Sequence, residues 1–268
     1  MKQFIYVFIV FFVLIGCQEK KSANLTKENN SNESLQPTKY KGTEPTTPEA
    51  TELYQPVPPK VTLTKNNVPS DAIVLFDGSG LEEWVHVVDS SAAQWYVQDD
   101  GSLLVKDRSG DIMTKRNFGS IQLHIEWKSP KDVINEGQSR ANSGIFIQRR
   151  YEIQIMDSND NPTYTNGQVG AVYKQSIPLA MASVPSGEWN TYDIIYEAPE
   201  FENERLVQPA YVTVLHNGVL IQNHFEIEGP VRYIGWPSYE AHGKAPIQLQ
   251  DHGDNSRVSY RNIWVREL

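Results

Sequence analysis

Apolar and polar residues alternate with period two along most of this chain after residue 68. Between 122 and 127, polar Gln122, His124 and Glu126 interleave with apolar Leu123, Ile125 and Trp127. That pattern predicts a strand with one face in a core. Further segments of the same kind cover residues 143–148, 151–157, 191–196, 211–216, 219–224, 247–252 and 260–266. Asn217-Gly218 stands between two of them and predicts a type I′ hairpin turn. Short β-rich runs at 72–76, 95–97 and 102–105 add strands. No amphipathic helix longer than about two turns is readable. Many short strands punctuated by Gly, Pro and Asn predict an all-β antiparallel sandwich or barrel. The polar strand faces carry Gln, His, Glu and Asn rather than Lys and Thr. One sheet face is therefore expected to form a groove.

The N-terminus has a different character. Residues 4–15 form an unbroken apolar run behind Lys2. The run is too short to span a bilayer as a helix and fits a secretory signal peptide over residues 1–17. Leu14-Ile15-Gly16-Cys17 is similar to a bacterial lipoprotein cleavage box. The similarity implies that Cys17 becomes the acylated first residue of the mature protein. Localisation is then at the cell envelope, with membrane contact through the lipid anchor alone. Residues 18–67 are rich in Asn, Ser, Thr, Glu, Lys and Pro and are expected to be a disordered linker. Residues 68–268 form the single domain.

Cys17 is the only cysteine. A disulfide within the domain, a catalytic thiol and a Cys-based zinc site are thereby excluded. The formal charge of −9 and the lack of a basic cluster in the domain argue against nucleic acid as a partner.

The segment Tyr151-Glu152-Ile153-Gln154-Ile155-Met156-Asp157 carries the most pointed chemistry. Glu152 and Gln154 share a face of the predicted strand. Asp157 would face the other way unless one bulged residue intervenes between Gln154 and Asp157. With such a bulge, both carboxylates enter one groove, as acid–base work on a sugar requires. Without it, Glu152 is a solvated strand residue and Asp157 caps the turn that follows.

Several local patterns then combine. They are Leu75-Phe76-Asp77-Gly78 with Leu81 and Trp84; Gly110-Asp111-Ile112-Met113-Thr114; and Arg140-Ala141-Asn142-Ser143-Gly144 leading to Gln148 and the strand at 151. Leu249-Gln250-Asp251-His252-Gly253 and Tyr260-Arg261-Asn262-Ile263-Trp264 close the chain. Together they resemble the 3-keto-disaccharide hydrolase family over about residues 71–268. The resemblance implies a concanavalin-A-like jelly roll of two antiparallel sheets with a concave sugar-binding face. It also implies cleavage of glycosides oxidised at C3. The same architecture houses the family 16 glycoside hydrolases, and Glu152-Ile153-Gln154-Ile155-Met156-Asp157 is similar to their Glu-x-Asp-x-(x)-Glu strand. Gln154 replaces the middle Asp and Asp157 the last Glu, which stands against an ordinary retaining double displacement.

A ketone at C3 acidifies the C2–H, so a base removes that proton, the C1 substituent leaves and water adds back. We expect Glu152 as the base and Asp157 as leaving-group acid or orienting partner. His124 competes for the base role because an imidazole titrates near neutrality. Glu126, on the same face, could orient His124 or bind a cation. Arg140, Asn142, Gln148 and Gln154 are candidates to hold sugar hydroxyls and the carbonyl. Gln250 and His252 would close the far side of the groove, and Tyr173 would stack on a ring. No strict metal-ligand spacing is present. A divalent cation such as Ca²⁺ could be held by the loop at 157–161, which is equally a plain turn. The alternative to an enzyme is a glycan-binding module without turnover.

Overall fold

The structure, a computed structural model, describes residues 44–64 and 66–268. The predicted signal segment, Cys17 and the linker up to residue 43 lie outside the described residues. The chain divides into two units at Pro58/Pro59. In the first unit the described residues hold one exposed 3-10 turn, Pro48–Thr51. No helix among the described residues is long and apolar enough to cross a membrane.

The second unit is built from strands and short 3-10 turns. In chain order the strands are β1 (Ile73–Phe76), β2 (Trp84–His86), β3 (Tyr96–Val97), β4 (Leu103–Leu104), β5 (Ile112–Thr114), β6 (Ile121–Lys128), β7 (Ser143–Ile147) and β8 (Tyr151–Ile155). They continue as β9 (Asn190–Glu197), β10 (Glu200–Glu202), β11 (Arg205–Gln208), β12 (Tyr211–His216), β13 (Val219–Glu226), β14 (Gln248–Leu249) and β15 (Ser259–Glu267). All pairings between them are antiparallel. An eight-stranded sheet runs β13-β12-β9-β6-β15-β4-β3, with β1 added on β15. A five-stranded sheet runs β2-β5-β14-β7-β8, and β10-β11 form a separate hairpin. The fold is thus the two-sheet sandwich that the alternation predicts.

Strand parity sets which side chains meet between the sheets. Leu123, Ile125 and Trp127 of β6 are buried, while His124 and Glu126 between them are only partly so. From the smaller sheet, Ile145, Ile147, Tyr151, Ile153 and Ile155 join the same apolar cluster. Two tyrosines tie the layers together. Tyr192 donates to the Gln154 carbonyl at 2.9 Å and Tyr196 to Gln148 Oε1 at 2.8 Å. The Asn217-Gly218 turn forms as expected, with His216 opposite Val219 and φ of 52° and 79° at its two residues. The β10-β11 hairpin has no such signature. Its turn places Asn203 and Glu204 at positive φ without a glycine, so the sequence pattern misses it.

One strand departs from its expected environment. β8 reads as half-solvated, yet all five of its residues are buried. It is the edge of its sheet, and the chain at 170–173 folds back to cover that edge. Gln154 N donates to Ala171 O at 3.0 Å, Gly170 N to Gln154 O at 2.9 Å and Tyr173 N to Glu152 O at 3.1 Å. Pairing of an exposed edge removes a site for unwanted strand addition. Here it also encloses the polar face that carries Glu152.

Candidate active site

On β8, Tyr151, Ile153 and Ile155 point into the core, so Glu152 and Gln154 lie on the opposite face. That face forms the floor of a cavity of about 640 Å³, whose lining includes Glu152, Gln154, Asn142, Phe146, Gln250 and His252. Gln138, Tyr164, Tyr173, Lys174 and Tyr233 complete most of its wall. Five of the sequence-derived candidates therefore meet Glu152 here: Asn142, Gln154, Tyr173, Gln250 and His252.

Glu152 is 5% exposed, and its carboxyl has no hydrogen-bond partner among the described residues. Burial raises its pKa to about 8, and the nearby Asp111 charge adds to the effect. A carboxyl in this state keeps its proton at neutral pH. Gly144, on the neighbouring strand β7, makes room for it. A Cβ at position 144 would overlap Glu152 Oε1. Asp111 is itself raised by burial, although Gln248 and the Asp251 amide donate to it.

The rest of the cavity is polar with unmet demand. Asn142 Oδ1, Gln154 Oε1 and Gln250 Oε1 are buried without a partner among the described residues. A buried polar atom left unpaired costs about 1–3 kcal/mol, so three in one hollow need a reason. Two of the three amide nitrogens are already engaged. Asn142 Nδ2 donates to Gln138 O at 2.5 Å, and Gln154 Nε2 to Gln138 Oε1 at 3.1 Å. Unmet acceptors suit a ligand rich in hydroxyl donors. In the same lining, the Tyr164 and Tyr173 hydroxyls share a hydrogen bond of 2.7 Å.

The imidazole of this cavity is His252. Its Nδ1 lies 2.7 Å from Asp254 Oδ2. When Nδ1–H donates to that carboxylate, Nε2 is left as the acceptor. Asp254 is absent from the sequence-derived set, as are Gln138, Tyr164, Lys174, Tyr233 and Asp111. The spacing His252-Gly253-Asp254 is the one local signal that pointed to Asp254.

Other candidates fall elsewhere. Asp157 does not share the Glu152 groove. β8 pairs with β7 in unbroken register from Tyr151 to Ile155, and Asp157 lies beyond the paired stretch, where its amide donates to Arg140 O at 3.1 Å. The Asp157 carboxylate instead accepts from Ser129 Oγ at 2.7 Å, Ser186 Oγ at 2.5 Å, Arg140 Nε at 3.3 Å and Asn159 N at 3.1 Å. Burial pushes its pKa up, but these donors outweigh burial and hold it below the ordinary range. Arg140 is thereby the partner of Asp157 rather than a cavity residue. Asp157 is engaged, and Asn161 bridges Gly137 O and Asp157 O at 3.0 and 2.9 Å, clamping the turn that presents Gln138. Among the described residues no group of three or more His, Cys, Asp or Glu could hold a metal.

His124 and Glu126 lie on the outer face of the larger sheet, with both sheets and the core between them and Glu152. His124 stacks on Trp264 at 5.1 Å and contacts Asp193 at 2.7 Å. Burial opposes its charge, but Asp193 and Glu126 raise its pKa to about 9. For Glu126, burial is outweighed by His124, Asn262 and Arg261, which lower its pKa to about 2. Parity explains the placement: Leu123 and Ile125 take the inner positions. Gln148 is buried at the sheet junction, donating to Phe118 O at 2.9 Å and accepting from Tyr196, and so belongs to the core.

A family model for the 3-keto-alpha-glucoside-1,2-lyase-like domain matches residues 71–266. A crystal structure of a provisionally assigned glycosyl hydrolase from Parabacteroides distasonis is similar at 51% identity and TM-score 0.79, covering 83% of this chain and 97% of that one. A second such protein from the same organism, at 20% identity and TM-score 0.54, covers 74% and 94% and shares the fold. No curated protein matches the chain.

Proposed function

The chain belongs to the 3-keto-alpha-glucoside-1,2-lyase-like family, and from that premise we propose that it is a glycoside-cleaving enzyme acting on 3-keto-sugars in the cavity around Glu152. The observation that carries this reading is Glu152 itself. It is a buried carboxyl with a pKa raised to about 8, without a hydrogen-bond partner among the described residues and sharing its cavity with three unmet amide oxygens. Plain surface chemistry does not maintain such a group, whereas acid–base catalysis uses one.

Burial reverses the role expected from the sequence. A carboxyl that holds its proton at neutral pH is an acid before it is a base. In the proposed reaction His252 Nε2 takes the C2 proton while Asp254 holds the ring. The C2–H electron pair forms the C2=C3 bond of an enolate, with charge on the C3 oxygen. When that charge collapses back to the ketone, the C1–O bond breaks and the leaving oxygen takes the Glu152 proton. The product is a 1,2-unsaturated 3-ketone and a free alcohol. Water then adds across C1=C2, with its hydroxyl on C1 and a proton returned to C2. The sum is hydrolysis. Asn142, Gln154 and Gln250 would accept from sugar hydroxyls, and the Tyr164–Tyr173 pair offers a hydroxyl proton toward the enolate oxygen.

We place this activity outside the cytoplasm, on a domain tethered through lipidated Cys17. Blocking signal processing, or Cys17→Ser, should then release the protein from the membrane fraction. For the chemistry, purified protein is incubated with a 3-keto-glucoside in heavy water. Release of the alcohol with deuterium appearing at C2 is expected. Release without exchange would replace elimination by direct displacement. A glycan-binding module would bind the sugar, release nothing and keep its affinity in Glu152→Gln.

A further inference from the structure

The cavity around Glu152 continues sideways. A second hollow of about 760 Å³ adjoins it and shares Tyr164, Tyr173, Lys174 and Tyr233 as lining. Its outer wall includes Trp236, which is 90% exposed, and Tyr233, which is 75% exposed. Neither ring contributes to the core. Clustered apolar surface of this kind marks a contact site.

The loop bearing these rings is held in place rather than left free. Lys174 Nζ donates to Tyr233 O at 2.6 Å and sits 4.3 Å from the centre of the Tyr233 ring. Gln175 Nε2 donates to Gly229 O at 2.8 Å, and its Oε1 accepts from Glu228 N at 2.8 Å. Gly229 has φ +137 and packs so closely on the Ser238 backbone that a Cβ would overlap it. Thus Lys174, which borders the cavity around Glu152, and Gln175 beside it hold the ring-bearing stretch at Tyr233 and at Glu228-Gly229.

We infer that this second hollow is the leaving-group subsite, and that it takes a C1 substituent offering a ring face. The inference rests on the elimination proposed above. There the sugar and its leaving group are joined by one oxygen, so the leaving group must occupy space continuous with the sugar cavity. Tyr164, Tyr173 and Tyr233 border both spaces. Exposed Trp and Tyr rings hold ligands by stacking, whether on an aryl group or on the C–H face of a pyranose. Both sources share that chemistry, and substrates distinguish them. A methyl leaving group is too small to reach the rings.

The test compares wild type and Trp236→Ala on methyl 3-keto-glucoside, phenyl 3-keto-glucoside and a 3-keto-disaccharide. Stacking of about 0.5–1.5 kcal/mol corresponds to roughly two- to tenfold in kcat/KM. The expected result is a fall of that size in the ratio of a ring-bearing substrate to the methyl substrate, restored by Trp236→Phe. A fall for the phenyl substrate alone assigns the site to aryl groups, and a fall for the disaccharide alone to sugars. An unchanged ratio for both overturns the inference. If wild type cleaves none of the three, the proposed reaction fails. Binding of stable phenyl glucoside and maltose by calorimetry then decides the subsite on its own. Weaker binding to Trp236→Ala upholds a ring-binding hollow, and equal binding overturns it.

Discussion

Replacing Glu152 by Gln keeps the side chain's shape and removes its ability to ionise, so it isolates what burial does to this carboxyl. In the folded protein the pKa is raised from the ordinary 4.5 to about 8. Between those values the folded state holds a proton that the unfolded chain has released. Stability therefore falls as pH rises across that window and levels off above it. At 1.36 kcal/mol per tenfold, the full cost is about 5 kcal/mol. Asp111 contributes to it, because its charge also disfavours the Glu152 anion. Other groups titrate in the same range, His124 near 9 among them, but they are common to both proteins. The assay is urea denaturation of wild type and Glu152→Gln at pH 5, 7 and 9. The variant should gain stability over wild type from pH 5 up to about pH 8 and little beyond, by several kcal/mol in all. A difference that stays constant within extrapolation error would show that Glu152 ionises normally, and the acid role argued for it would fall.

Three further outcomes are expected. His252→Asn should lower kcat about 10²- to 10⁴-fold with little change in KM, and Asp254→Asn should lower it less; equal wild-type kcat in steady-state assays would remove the dyad from the chemistry. Gly144→Ala should fold, because the added Cβ meets the Glu152 side chain and no backbone, yet it should lower kcat by about 10²-fold through a displaced carboxyl; thermal melts and kinetics on one preparation separate the two effects. Asp157→Ala strips the acceptor from four donors and should cost about 3–5 kcal/mol. That corresponds to a Tm drop of about 10 °C by calorimetry, with activity lost along with the fold rather than ahead of it.

The strand pattern was legible because it is local. Leu123, Ile125 and Trp127 each declare an inward face from spacing alone, and Asn217-Gly218 declares its turn through backbone preference alone. Glu152 and Gln154 were likewise assigned to one face by parity, and Asn142, Tyr173, Gln250 and His252 were named as groove residues from motif and position. What no local pattern encodes is which partners meet across the fold. Asp157 lies five residues after Glu152, yet it is captured by Ser129 and Ser186 from distant segments. His124 has the residue type the chemistry wants, but its strand turns it to the far side of the sandwich, and His252 takes the place beside Glu152. The proton on Glu152 is the clearest case. Its pKa depends on desolvation, desolvation depends on the 170–173 segment closing over an edge strand, and that closure is long-range packing. Sequence alone therefore determined most of the strands, their inward faces and the carboxyl's face. Tertiary structure alone decided the charge state of that carboxyl, because it follows from the environment that distant residues build around it.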